Sequence, residues 1–263
     1  MVNREYYLEK IKRFCLMDDT FMSKVFEDKA CAELLLKIIL QKELTVKEVT
    51  SQYTVKNLQG RSIRLDIFAV DKDNKYYNIE VQNESNEAIP KRARYNSSLI
   101  DANITDIGGK YDELPESYVI FITRHDVLKG GKPIYTIERT IKELGNIDFG
   151  DESHIIYVNG ECQDETEIGK LMHDFFCQNA EDMNYEVLAE RVSYFKNETG
   201  GVDTMCQISE EIRRDAAEEA KRESAMEIAL KMLKESTLSV EKIAEITSLT
   251  VDEVKALAEK KVV

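Results

Sequence analysis

Two short stretches of the chain place acidic residues in the alternating apolar and polar pattern that is typical of half-buried β-strands. The first, residues 64–68, reads Arg-Leu-Asp-Ile-Phe, and the second, residues 79–82, reads Ile-Glu-Val-Gln. Residues 71–74, Asp-Lys-Asp-Asn, lie between them and consist of residue types that favour a turn. We therefore predict a β-hairpin that carries polar side chains on one face.

This hairpin would bring two carboxylates together. If Ile67 lies opposite Ile79, Asp66 falls opposite Glu80, and directly opposed residues have Cβ atoms about 5 Å apart. Like charges at that distance destabilise a strand pair, whereas a divalent cation would bind between them. Magnesium held by carboxylates activates water and neutralises charge during phosphodiester hydrolysis. Gln82, on the same face as Glu80, points to the same site.

Other interpretations of the chemistry-bearing residues remain open at this point. The polar face could be solvated, with Arg64 forming a surface salt bridge that contributes little stability. The histidines, His125, His154 and His173, lack the HxxxH and HExxH spacings of metal sites. We expect each histidine to be an ordinary surface or core residue.

The elements that must position the acidic pair alternate between helix and strand. Apolar spacing predicts helical structure over residues 18–41, and weak alternation predicts a first strand over residues 48–58. After the hairpin, Pro90 opens a helix that ends near the Gly108-Gly109 pair. Continuous apolar runs at residues 118–123 and 154–158 predict strands, the first of them buried on both faces. This order indicates a mixed α/β layer.

Strand signals vanish beyond about residue 165. We predict two parts, a core over residues 1–165 and a helical C-terminal extension over residues 166–263. Residues 208–235, rich in Glu, Ala, Lys and Arg, predict one long solvated helix. Residues 239–260 predict a pair of short helices.

The predicted C-terminal extension has two further sequence features. Gly200-Gly201, before the long helix, predicts a flexible joint, and residues 250–253, Thr-Val-Asp-Glu, fit a capping box. A helix-turn-helix is one interpretation of residues 239–260. The second helix mixes acidic and basic residues, however, so we favour packing against a partner or against the long helix.

Composition limits the class of protein. The 263-residue chain has a formal net charge of −14, which opposes nonspecific attraction to nucleic acid and confines any such contact to a local basic patch. No apolar run is long enough for a membrane span, and the chain start lacks a signal-peptide core. Five scattered cysteines predict free thiols, with neither a disulfide framework nor a zinc site. We expect a cytoplasmic protein without membrane association.

Several of these segments together resemble the PD-(D/E)xK nuclease superfamily. More narrowly, they are similar to the Rpn family of recombination-promoting nucleases, also labelled putative transposases. The resemblance covers roughly residues 18–160. The segments that carry it are residues 19–26, 64–66, 77–82, 91–95 and 118–122.

The resemblance implies a restriction-endonuclease-like α/β core and cleavage of DNA that depends on Mg²⁺, or on Mn²⁺. It implies that Asp66 and Glu80 are metal ligands and that Asp19 or Glu33 supplies a further acid. The superfamily's lysine should fall at position 82, where this chain has Gln82. Glutamine can orient a water molecule, but it carries no charge and takes up no proton.

A basic cluster could compensate for the missing lysine. Lys91 or Arg92, on the helix after the hairpin, could supply the cation, and Arg64, Lys91, Arg92 and Arg94 form the predicted nucleic-acid contact. A homodimer would allow two strands to be cut. The alternatives are a catalytically degenerate nuclease fold that binds DNA, and a protein–protein adaptor that acts through residues 208–260.

Overall fold

The computed structural model describes residues 4–57, 60–84, 86–105, 109–235 and 238–259. The helices are α1 (Arg4–Arg13), α2 (Asp19–Val25), α3 (Lys29–Leu40), α4 (Pro90–Ile104), α5 (Glu167–Phe176), α6 (Glu186–Asn197), α7 (Thr199–Glu235), α8 (Val240–Thr247) and α9 (Val251–Glu259). The strands are β1 (Val46–Val55), β2 (Ile63–Asp71), β3 (Tyr76–Gln82), β4 (Ser117–Thr123), β5 (Ile134–Ile137), β6 (Thr140–Ile141), β7 (Ile147–Asp148) and β8 (Ser153–Asn159).

Six of the strands form one mixed sheet in the order β1–β2–β3–β4–β8–β5. Strands β3, β4 and β8 run parallel, whereas β1, β2 and β5 pair antiparallel with their neighbours. Helices flank this sheet, so the predicted restriction-endonuclease-like α/β architecture is confirmed. Helix α1 and strands β5 to β7 are not predicted from the sequence pattern.

The predicted helical stretch over residues 18–41 consists of two helices. The first helix, α2, ends at Val25, and Asp28 begins α3, because its carboxylate accepts hydrogen bonds from the backbone N–H groups of Ala30 and Cys31. Such an N-cap satisfies donors that have no partner inside the helix. Gln41 ends α3 in the left-handed conformation, with φ of 52°.

The turn of the predicted hairpin is built around Asp71. Its carboxylate accepts the backbone N–H groups of Asp73 and Lys75, each at 2.9 Å, and Asn74 adopts a left-handed φ of 58°. The Tyr77 hydroxyl donates to the same carboxylate at 2.7 Å. Asp and Asn favour turns for these reasons, and the turn prediction is confirmed.

The hairpin is more deeply buried than the alternating pattern predicts. Residues 77–82 of β3 are all buried, as is every residue of β4. The prediction for β4 is confirmed, but the half-buried prediction for β3 is wrong. The reason is that β3 lies between β2 and β4 and that α4 packs over its polar face, where Ala93 joins a core cluster with Phe121.

Contacts between Cα atoms divide the chain into two compact units, residues 1–202 and 203–263. Helices α5 and α6 pack against α3 within the first unit. The predicted division at residue 165 lies before these two helices, and it stays a prediction about domains. No helix of the described residues is both long and apolar enough to cross a membrane.

The prediction of a flexible joint at Gly200-Gly201 is wrong. Both glycines lie inside α7. A Cβ atom on Gly201 would come within 2.2 Å of the Tyr194 carbonyl oxygen, so a close approach of two backbones explains this glycine.

In the second unit, α8 and α9 bury a small apolar cluster with α7. Its buried members are Ala229, Ile243, Ala244, Leu249 and Val254. The predicted capping box is present at the start of α9, because the Thr250 N–H donates to Glu253 Oε2 at 2.8 Å and the Glu253 N–H donates to Thr250 Oγ1 at 3.2 Å.

Candidate active site

The acidic pair lies where the β2–β3 ladder stops. The paired register includes Ile67 opposite Ile79, as predicted, and that pair is the last on this side of the described ladder. Beyond it, the Val81 N–H donates to Asp66 Oδ2 at 2.9 Å. The Asp66 carboxylate thus takes the place of a backbone acceptor, which fixes its position beside Glu80.

Burial and mutual repulsion both act on this pair. Glu80 is fully buried. Burial raises the pKa of Asp66 well above the usual carboxyl range, and the nearby Asp19 charge adds to the rise. Burial also raises the pKa of Glu80, and the Asp66 charge is the next largest cause. The site therefore disfavours two negative charges unless a cation offsets them.

Arg92 of α4 provides a cation at this position. Its Nη2 donates to Glu80 Oε2 at 2.7 Å, and its Nη1 donates to Gln82 Oε1 at 3.2 Å. The guanidinium carbon lies 5.8 Å from the centre of the Phe121 ring, which shields it on one side. Lys91, the other predicted cation, is exposed on α4. The structure therefore brings Arg92, rather than Lys91, to the pair.

Gln82 occupies the position of the superfamily lysine and is buried with Glu80. Its Nε2 donates to Glu80 Oε2 at 3.4 Å, and its Oε1 accepts from Arg92. Asn96, four residues after Arg92 on the same face of α4, donates from Nδ2 to Glu80 Oε1 at 3.5 Å. The Asn96 Oδ1 atom is buried without a hydrogen-bond partner among the described residues.

The two candidates for a further acid lie in different places. Asp19, at the start of α2, accepts a hydrogen bond from Gln52 of β1 at 2.8 Å and is close enough to influence Asp66 electrostatically. Glu33 accepts the Val46 N–H at 2.9 Å. Val46 pairs with Asp71, at the far end of β2 from Asp66, about 16 Å along the strand. The structure thus brings Asp19 to the pair and not Glu33.

The remaining predicted nucleic-acid contacts lie on the surface. Arg64, Lys91 and Arg94 are exposed, whereas Arg92 is engaged with Glu80 and Gln82. Arg64 forms no ion pair with Asp66 in the described structure, which argues against the alternative of a solvated salt-bridged face.

A comparison with known families agrees with this geometry. A family model described as PD-(D/E)XK nuclease family transposase matches residues 22–199, more than half of the chain. The chain belongs to this family. No curated protein and no solved structure is significantly similar to it. The match in this PD-(D/E)XK family member includes both carboxylates and continues through α5 and α6. Family membership supports a nuclease or transposase type of role.

The residues present fit the divalent metal that PD-(D/E)XK nucleases generally use. Asp66 Oδ1 accepts no hydrogen bond within the described structure, and Glu80 Oε1 has a long contact with Asn96. The Asn78 side chain and the Asp66 backbone N–H also favour the charged form of Glu80. Both oxygens can therefore serve as ligands, and the unpartnered Asn96 Oδ1 belongs to a side chain that contacts Glu80. Carboxylate and amide oxygens are the donors that Mg²⁺ and Mn²⁺ prefer.

Sequence reasoning missed Asn96 and the Gln52–Asp19 contact. The spacing of Arg92 and Asn96, four residues apart on a predicted helix, was the available signal for Asn96. Nothing in the sequence indicated Gln52, which lies on β1 in a left-handed conformation with φ of 52°.

A second group of potential metal ligands was also missed, because it lacks the spacings considered for histidine. His173, Asp174 and Cys177, at the end of α5, lie with their ligand atoms within 4.8 Å of one another. The Asp174 carboxylate already accepts three short hydrogen bonds from Asn184 and Tyr185. Burial and the Asp174 charge raise the pKa of Cys177 to about 11, which disfavours the thiolate that a metal needs. This group fits a structural role.

Proposed function

We propose that the protein is a metal-dependent DNA endonuclease with a role in recombination or transposition. The observation that carries this proposal is the Asp66–Glu80 pair, two carboxylates with raised pKa values beside the partly buried Arg92. Groups perturbed in this way cluster at functional sites. A purely structural role would not need two acids side by side on neighbouring strands.

Each side chain has a proposed part in the reaction. Asp66 and Glu80 hold the cation, Mg²⁺ or Mn²⁺, and the Val81 N–H keeps the Asp66 carboxylate in place. When bound, a divalent cation supplies Lewis-acid activation of the phosphate and of a water molecule. Arg92 stabilises the ionised form of Glu80 and offsets negative charge on the phosphate.

Gln82 acts through its neighbours and through water. Both of its polar atoms already contact Glu80 and Arg92, so Gln82 positions these two side chains. An amide has a second hydrogen on nitrogen and a second lone pair on oxygen. These remaining groups can orient the attacking water, the role predicted from the sequence.

Cleavage of plasmid and oligonucleotide DNA by the purified full chain, with Mg²⁺ or Mn²⁺ added, tests the proposal. We expect metal-dependent cleavage that Asp66→Asn abolishes. Asp73→Asn is the matched control, because Asp73 lies in the exposed turn of the same hairpin. Equal cleavage by the wild type and Asp66→Asn would show that the pair is not catalytic.

A catalytically degenerate member of the same fold that binds DNA is the second candidate. The observation that favours it is Gln82, a neutral residue where the superfamily has a lysine. The two candidates differ in metal binding, since a cation that binds only the folded state raises the melting temperature. The nuclease proposal expects this rise in the wild type and its loss in Asp66→Asn, whereas the degenerate protein shows neither.

Two further proposals concern the location of the protein in the cell and its oligomeric state. All five cysteines are free thiols, which supports a location in the cytoplasm. A homodimer would place two copies of the single Asp66–Glu80 site on the two strands of a duplex. Sedimentation of the chain with and without DNA tests this assembly.

A further inference from the structure

Three aromatic rings form a row across β1, β2 and β3. The rings of Tyr53 and Phe68 lie 4.8 Å apart with planes only 9° from parallel. Tyr76 continues the row, with its ring 5.7 Å from that of Phe68. We call Tyr53, Phe68 and Tyr76 the aromatic row. It ends at Tyr53, on the edge strand of the sheet.

The open end of the aromatic row lies next to the candidate active site. Phe68 is two residues from Asp66 and so projects from the same face of β2. Tyr53 follows Gln52, whose side chain contacts Asp19. Tyr53 is 40% exposed, and no described ring other than Phe68 stacks on it. One face of the Tyr53 ring therefore carries no other ring, and it lies near the Asp66–Glu80 pair.

Two segments around this point are basic in an otherwise acidic chain. Residues 52–64 contain three cations and no acid, and residues 88–100 also contain three cations and no acid. The two segments are in contact, because the Tyr95 hydroxyl donates to the Arg61 carbonyl oxygen at 2.5 Å and accepts from Asn57 Nδ2 at 3.0 Å. We call the described cations of these two contacting segments the basic surface.

The cations of this surface are available to a ligand. Of the six lysines and arginines in the two segments, every one except Arg92 is exposed. None of these exposed cations forms an ion pair with a described carboxylate. These exposed cations are Lys56, Arg61, Arg64, Lys91 and Arg94. Unpaired cations beside a free aromatic face are the combination that binds single-stranded nucleic acid, in which phosphates meet charge and bases stack on rings.

We propose that Tyr53 stacks on an unpaired base of the DNA while Arg61 and Arg64 bind its phosphates. The substrate would then contain a single-stranded segment next to the cleavage position. In duplex DNA each base is covered by its neighbours, so Tyr53 would find no free base face there. This inference rests on the proposed function, since it names the substrate class of the same site.

The rings of the aromatic row also stabilise the sheet, and the experiment must separate this structural role from base stacking. Cross-strand aromatic pairs stabilise sheets whether or not a ligand binds. Tyr53→Leu keeps apolar contact with Phe68 but removes the stacking surface. Tyr53→Phe keeps the ring. Tyr111→Leu is the matched control, because Tyr111 is an exposed tyrosine outside the aromatic row.

Binding is measured by the fluorescence anisotropy of labelled oligonucleotides with the full chain and EDTA, so that no cleavage occurs. We expect Tyr53→Leu to bind single-stranded DNA about tenfold more weakly, the effect of losing one stacked base. Its duplex binding and melting temperature should stay close to those of the wild type. Tyr53→Phe and Tyr111→Leu should bind like the wild type.

A second variant keeps the proposal testable if Tyr53→Leu fails to fold. The chain contains no tryptophan, so Tyr53→Trp creates a single fluorophore at the end of the aromatic row. Single-stranded DNA should quench its emission, whereas duplex DNA should not. Tyr111→Trp should be insensitive to both. Equal quenching at the two positions, or none at position 53, would overturn the proposal.

The outcomes also distinguish this inference from the proposed function. Tyr53-dependent binding of single strands without any metal-dependent cleavage would contradict the nuclease proposal and support the inference. Cleavage by the wild type, together with unchanged single-strand binding by Tyr53→Leu, would overturn the inference alone.

Discussion

Glu80 in the hairpin and Asp174 at the end of α5 are both fully buried, yet the groups around them differ. Asp174 accepts the Asn184 N–H at 2.7 Å, the Asn184 side-chain amide at 2.8 Å and the Tyr185 N–H at 2.9 Å. Glu80 has one short bond, from Arg92, two long amide contacts, and a second carboxylate beside it.

The difference separates a carboxylate that holds the fold together from one that is prepared for a ligand. Backbone donors around Asp174 compensate for its desolvation, and they connect α5 to the start of α6. Around Glu80 the compensation is incomplete, because the neighbouring Asp66 charge opposes its ionisation. Burial alone therefore does not distinguish the two kinds of carboxylate. The number of short hydrogen bonds that each one accepts does distinguish them.

The strongest test of this comparison is Asp66→Asn, which removes a charge and keeps an acceptor for the Val81 N–H. We expect cleavage to fall about 10³-fold, because metal-bound charge stabilisation is worth several kcal/mol. The melting temperature of the metal-free protein should not fall, since the repulsion with Glu80 is relieved. A clear loss of stability would mean that Asp66, like Asp174, has a structural role.

Asp174→Ala should give the opposite result. Three donors from Asn184 and Tyr185 would lose their buried acceptor, and we expect the free energy of unfolding to drop by about 2 kcal/mol, because these partly exposed donors can still bind water. Urea denaturation measures this loss. Metal-dependent stabilisation should persist in the variant under conditions where it remains folded. If Asp174→Ala instead removed the response to Mg²⁺, the group at the end of α5 would be the metal site.

Arg92→Met tests the cation that partly compensates Glu80. A hydrogen bond to a charged group contributes about 2 kcal/mol, so we expect cleavage at neutral pH to fall about 30-fold. The loss should shrink as the pH rises, because Glu80 then ionises without help. Arg92→Lys keeps the charge and should retain more activity. Lys231→Met, at an exposed position of α7 outside the basic surface, should behave like the wild type.

The raised pKa values also predict how stability depends on pH. Between the ordinary carboxyl pKa and the raised pKa, the folded protein holds protons that the unfolded chain has released, so stability falls as the pH rises. Metal-free wild type should lose stability from about pH 5 to about pH 8, and Asp66→Asn should show a flatter profile. Stabilisation by Mg²⁺ should grow over the same range.

The smallest effect is expected for Glu33→Gln, far from the pair. The amide oxygen can still accept the Val46 N–H, and the lost contact is a partly exposed ion pair with Lys37. Such pairs contribute less than about 1 kcal/mol, so stability should change little and cleavage not at all. A large loss of cleavage would mean that Glu33 reaches the site during the reaction.

The sequence by itself determined the local features. Alternation placed Asp66 and Glu80 at neighbouring positions of a hairpin, and the register through Ile67 and Ile79 followed from the apolar pattern. Turn chemistry at residues 71–74 and the capping box at residues 250–253 are short-range interactions between side chains and nearby backbone. Patterns of this kind involve few residues, so the sequence predicts them directly.

Only the tertiary structure decided which residues complete the site. It selected Arg92 over Lys91 and Asp19 over Glu33, and it added Asn96. These outcomes depend on the rotation of α4 and α2 about their axes relative to the sheet, which distant packing fixes. Burial of Glu80 has the same origin, because α4 covers a face that the alternating pattern alone predicts to be solvated. A sequence pattern shows which residues share a face of one element, while packing decides what that face meets.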